Sequence, residues 1–203
     1  MIKLMLVIAC LGHVICGITD CMMAYTKDGR FEFSDTKDNG KMKRIFSSMP
    51  LKQIELAMIV GVAALFLSGP GYISVSRRIA ENSPVVGDIM LVSSLFFLVP
   101  ISAHHVLCGA AEWFYVRLGR TDEALEVITE FFKKTAVVAI AYAGLLIFDV
   151  ALLVMVVTGH TDLPRWACIF NTIPAFLLLA PTKVPAKGNV ANAFMFLGLA
   201  ILI

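Results

Sequence analysis

Residues 89–116, IMLVSSLFFLVPISAHHVLCGAAEWFYV, run for 28 residues with one carboxylate, Glu112, and no lysine or arginine. A helix needs about 20 predominantly apolar residues to cross the hydrocarbon of a bilayer, so this stretch is long enough to span one. It also poses the functional question, because two histidines and an acid lie inside it and charge in hydrocarbon is costly. Comparable runs at Leu4–Tyr25, Ile54–Val75 and Ala136–Thr158 predict three more spans. Pro164–Ala180, carrying Asn171 and Pro174, and Val190–Ile203, short for a full crossing, predict a fifth and a sixth.

Composition supports this reading. The 203 residues are 59% hydrophobic and 16% charged, with a mean hydropathy of +0.83, more apolar surface than a soluble domain of that size can hide. Backbone groups in lipid must be satisfied within the chain, and no barrel-like alternation is present, so the spans are helices. The expectation is an all-α integral membrane bundle of about six transmembrane helices, residues 1–203 forming one domain. The opening basic and apolar segment resembles a secretory leader in outline. Asp20 and the lack of a small-x-small cleavage site before it predict a retained helix instead.

Lysine and arginine placement sets the expected orientation. Thirteen of the seventeen lie in the loops after spans one, three and five, leaving Lys3, Arg77, Arg78 and Arg165 on the opposite side. The positive-inside rule then puts loops 26–51, 117–135 and 181–189 in the cytoplasm and both termini outside the cell membrane. In loop 26–51, Asp28-Gly29 and Asn39-Gly40 are turn signals with the alternating Phe31-Glu32-Phe33 between them, which predicts a small hairpin. The basic stretch Lys41–Lys52, with Ile45, Phe46 and Met49 interspersed, predicts a short helix lying on an anionic membrane surface. A calcium loop is excluded there, since Lys37 and Phe46 occupy ligand positions. Thr121 predicts the cap of a helix running through Phe131–Lys134 into span four. Gly69-Pro70-Gly71 should break or bend span two, and Pro100 should kink span three.

The polar residues within the spans are the functional candidates. His105, Cys108, Gly109 and Glu112 share one helical face, with His104 beside them. Span one carries His13 and Asp20, seven apart and roughly co-facial. Asp149, Asn171 and Asn192 come from spans four, five and six, and Asp149 should lie apart near the midplane. The expected geometry is a polar cavity open toward the basic side. Three chemistries suit these side chains. Zinc could be held by His105 and Glu112 with His13 or Asp20, activating a water. Glu112 or Asp20 could act with a histidine as metal-free acid and base, or Asp, Glu and His could relay protons or cations. The plainer reading of His13, Asn171 and Asn192 is hydrogen-bonded helix glue. The five cysteines form no C-x-x-C pair and read as small apolar fillers.

The site expected from sequence is therefore His105 and Glu112, supported by His104, Asp20 and His13. It would serve a membrane protein acting on a lipid or small amphiphile by metal-assisted hydrolysis or acid–base chemistry. A proton- or cation-coupled transporter and a non-catalytic accessory or immunity protein are the rival classes. Nucleic acid is not an expected partner: the cations are scattered and no phosphate-cradling glycine motif is present.

Overall fold

The computed structural model describes residues 1–203. It is 82% helical, and its only strands are two residues each. The helices are α1 (Ile2–Ala24), α2 (Asn39–Ile45), α3 (Leu51–Ala80), α4 (Pro84–Arg117), α5 (Asp122–Lys134), α6 (Val138–Thr158), α7 (Thr172–Leu179) and α8 (Lys187–Leu202). Four stretches are long and apolar enough to cross a membrane: α1, α3, α4 and α5 with α6. The last two expected spans take a different form. At about 1.5 Å per residue, α8 measures about 24 Å. The segment before it is split into a 3-10 turn (Arg165–Phe170) and the eight-residue α7.

Asn171 is the reason for the split. Its side-chain oxygen caps α7 by accepting the Ile173 N–H at 3.0 Å, and its amide donates to the Asp149 carbonyl at 2.9 Å. The first bond satisfies an N–H that the break leaves without an intrahelical partner, and the second ties the break to α6. Neither proline ends its helix: α3 continues through Pro70 and α4 through Pro100. Of the expected break or bend at Gly69-Pro70-Gly71, the break is therefore absent. Neighbouring helices pack on both glycines' flanks, and a transmembrane helix tolerates the missing N–H in that setting. The helix after Thr121, expected to run into span four, is interrupted over residues 135–137.

The helices close into a ring. α3 packs on α1 and α4, α4 on α6, and α8 on α1, while the 3-10 turn and α7 fill the place between α6 and α8. Along α1, Leu6, Ala9, His13 and Cys16 point inward and are buried, whereas Leu4, Val7, Leu11, Val14 and Ile18 point outward and are exposed. Two apolar stripes on one helix suit a lipid-facing outside and a packed inside. One end of the ring is filled by a core that includes Leu6, Tyr72, Val75, Met90, Phe97, Phe148, Leu152, Phe196 and Leu199. The other, basic end carries a cap made by residues 25–50.

The cap corrects two expectations. Its hairpin pairs Tyr25 with Arg30 and Thr26 with Gly29, so the turn falls at Lys27-Asp28, Gly29 opens the second strand and Phe31–Phe33 lies outside the strands. Gly29 there has φ +147°, a conformation that disfavours a side chain. The basic stretch forms α2 and then a 3-10 turn (Phe46–Ser48), not a helix exposed to a membrane surface. Met42, Ile45, Phe46 and Met49 are buried against Ile54, Ala111, Tyr115, Leu125 and Ile128 of α3, α4 and α5. Its apolar face is consumed within the molecule.

Candidate functional site

Between the far-end core and the cap, the ring borders a cavity of about 430 Å³, with the exposed Tyr142 and Phe176 at its margin. Leu65, Phe97, Ile101, Leu145 and Phe176 supply apolar walls, and Phe97 joins the cavity to the core beyond it. Cys16, Asp20, His104, His105, Cys108, Asn189 and Asn192 supply polar ones. Arg30 of the hairpin and Lys187 at the start of α8 line the basic end. No side chain caps the N-terminus of α8 there, so free backbone N–H groups add to the positive character of that end.

Asp20 and His105 meet on the cavity wall. His105 Nδ1 lies 3.2 Å from Asp20 Oδ1, and His105 Nε2 lies 3.1 Å from the Ala57 carbonyl oxygen. A carbonyl only accepts, so Nε2 carries a hydrogen. The contact on the other side then requires a proton between Nδ1 and Oδ1, or a cation in its place, because two bare lone pairs would repel. The second oxygen of Asp20 accepts from the Asn189 amide at 2.8 Å, and the Cys16 thiol stands in the same cluster. Gly61 makes this placement of the imidazole feasible: a Cβ there would stand 1.9 Å from His105 Nε2.

A chain of hydrogen bonds leads from this pair toward the middle of the bundle. Asn189 Oδ1 accepts from His13 Nδ1 at 2.9 Å, and His13 Nε2 faces the Tyr72 hydroxyl at 3.1 Å. The Tyr72 hydroxyl also lies 2.9 Å from Asn192 Oδ1, which accepts from Thr172 at 3.1 Å. The Asn192 amide donates to the Gly188 carbonyl, which fixes its orientation. With His13 carrying its hydrogen on Nδ1, the one hydroxyl hydrogen of Tyr72 serves two acceptors, His13 Nε2 and Asn192 Oδ1. His13 also stacks on Phe196, with ring centroids 5.7 Å apart.

The structure gathers some of the residues expected from sequence and separates others. Asp20, His104 and His105 share the cavity, and the His104 ring comes within 3.4 Å of Cys108 Sγ. Glu112 lies seven residues further along α4, buried and off the cavity lining, with Oε2 unpartnered. His13 has both ring nitrogens engaged by Asn189 and Tyr72. The expected metal set of His105, Glu112 and His13 is therefore not assembled; the ligand-bearing atoms that converge belong to Cys16, Asp20 and His105. Asp149 is buried apart from the cavity, facing Thr172, with Oδ1 unpartnered. Cys16, Gly61, Tyr72 and Asn189 take part without having been singled out. Asn189 preceded the expected sixth span, and Tyr72 followed the expected break in the second.

These features define a helical protein with four stretches able to span a membrane and a polar cavity bordered by the helix ring. The chain belongs to a family of unknown function (DUF6796), whose model matches residues 1–202. No curated protein and no solved structure matches it.

Proposed function

We propose that the protein is a membrane enzyme acting on a small amphiphile with an anionic head, taken from the cytoplasmic leaflet, with Asp20 and His105 as its acid–base pair. The observation that carries this reading is the cavity's division into an apolar part and a cationic end. Its apolar walls suit a short acyl or isoprenoid portion, while Arg30, Lys187 and the uncapped start of α8 suit a phosphate or carboxylate. The pair lies between these two regions. The thirteen of seventeen cations in the loops of the basic end support an orientation with that end toward the cytoplasm.

His105 is held by Ala57, so that Nδ1 and Asp20 can exchange one proton without the ring turning. Asn189 orients the carboxylate, and His104 flanks the pair. Proton removal and return at neighbouring carbons, as in an isomerisation, needs a positioned acid and base of this kind, worth roughly 10²–10⁴ in rate.

The test is lipid analysis of the protein purified in mild detergent. An anionic amphiphile enriched over bulk lipid is the expected result, lost when Ile101→Trp fills the cavity and retained by Asp20→Asn. An Ile101→Trp protein with the same bound lipid as the wild type would overturn the reading.

The hydrogen-bonded chain from Asp20 to Thr172 favours a second reading, proton-coupled transport. It requires a path through the apolar core beyond Phe97. Solute uptake by proteoliposomes that collapses with the proton gradient would establish that reading in place of the enzyme.

A further inference from the structure

We propose that Cys16, Asp20 and His105 form a binding site for a transition-metal dication of the zinc class, with its remaining coordination position open to the cavity. This rests on the reading above for the cavity and its amphiphile, and it makes Asp20 and His105 metal ligands in place of a metal-free acid–base pair.

The donor atoms of the three side chains all lie within 4.8 Å of one another. Ligands bound at about 2.0–2.3 Å around a tetrahedral ion stand roughly 3.3–3.7 Å apart, so a contraction of about 1 Å at the widest pair completes the site. Cys16 and Asp20 are four residues apart on α1 and share a face. His105 reaches them from α4, with α3 packed against both helices. One thiolate, one imidazole and one carboxylate suit zinc or cobalt and poorly suit magnesium or calcium, which favour all-oxygen shells.

The surrounding contacts prepare each ligand. The Ala57 carbonyl holds the hydrogen on His105 Nε2, which leaves Nδ1 as the donor nitrogen directed at Asp20. The Asn189 amide occupies Asp20 Oδ2 and leaves Oδ1. A metal-bound histidine whose other N–H meets a backbone carbonyl, beside a carboxylate that is itself hydrogen-bonded, is the usual support of such centres.

The charge balance also closes. Without metal, a neutral thiol and one proton shared by Asp20 and His105 give a net charge of zero. Binding of M²⁺ releases that proton and the thiol proton to solvent, leaving thiolate, carboxylate, neutral imidazole and the dication, again a net charge of zero. The ion therefore enters without burying an uncompensated charge. Three protein ligands and an open position are the arrangement of catalytic rather than structural zinc. A bound water would then face the amphiphile, and hydrolysis of its head-group linkage becomes the reaction class.

The experiment is metal analysis of detergent-purified protein prepared without chelator and equilibrated with Zn²⁺ alone. The wild type and Cys108→Ala should hold close to one zinc per chain. The nearly isosteric Cys16→Ser should bind at least tenfold more weakly, and His105→Ala should bind none. Co²⁺ in the wild type should give a thiolate-to-metal charge-transfer absorption that Cys16→Ser abolishes. A wild type binding no more zinc than Cys16→Ser, or a cobalt spectrum unchanged in that variant, overturns the proposal. If the amphiphile still co-purifies in that event, the metal-free acid–base reading stands. If zinc binds while no amphiphile is retained, the substrate assignment alone falls.

Discussion

At Gly61 the imidazole of His105 occupies the space in which any larger residue would place its first carbon. Gly61→Ala therefore forces His105 away from Ala57 and Asp20, and since α3 and α4 are tightly packed the displacement has no cheap outlet. We expect a loss of about 2 kcal/mol in unfolding free energy, in the range of core overpacking, together with loss of zinc or amphiphile binding. Thermal unfolding and the binding assays above would measure both, and a Gly61→Ala protein with wild-type values in each would refute this account of the pair. Asp20 and His105 were legible as candidates because each is an ionisable group in an apolar run. Cys16 was not, because a thiol in a membrane helix reads as filler until its neighbours are known. Glu112 shows the converse. Its face was read correctly as shared with His105, yet periodicity cannot tell which end of a face opens into a cavity.

Asn171 turns one span into two short elements, and a cap of this kind contributes about 1 kcal/mol. Asn171→Ala also removes the bond to the Asp149 carbonyl. A drop of about 1–2 kcal/mol in stability is expected, with Asn171→Asp recovering only the capping part. The cap carries a test of its own at the element scale. Burial raises the Asp35 carboxyl, but the Lys41 ammonium at 2.5 Å and the Glu32 N–H at 2.9 Å outweigh it and hold its pKa below the ordinary value of 3.8. A group depressed on folding adds stability above its unfolded pKa and loses it as pH falls through the lower folded value. The melting temperature of the wild type should consequently fall more than that of Asp35→Asn below about pH 4. Four long helices were legible because hydrocarbon demands length. Their partners were not, since α1 presents apolar stripes on both faces and hydropathy does not say which one meets protein. The basic stretch of the cap misled for the same reason: an apolar face beside lysines fits a membrane or a neighbouring helix equally well.

For the molecule as a whole, the orientation proposed from cation placement is open to direct measurement. Ser47 in the cap and Asn82 between α3 and α4 are exposed at opposite ends of the ring. In a background lacking the native cysteines, Ser47→Cys should resist a membrane-impermeant maleimide in intact cells and react in inverted vesicles, and Asn82→Cys should do the reverse. The opposite pattern would place the cavity outside and remove the cytoplasmic leaflet from the proposal. The dense packing beyond Phe97 has a kinetic meaning as well. A chamber shut toward the far end offers no passage through the molecule, so a reacted molecule must leave the site before the next can take it. Turnover would then be slowed by accumulated product in direct competition with substrate, and it would be indifferent to the voltage across the bilayer.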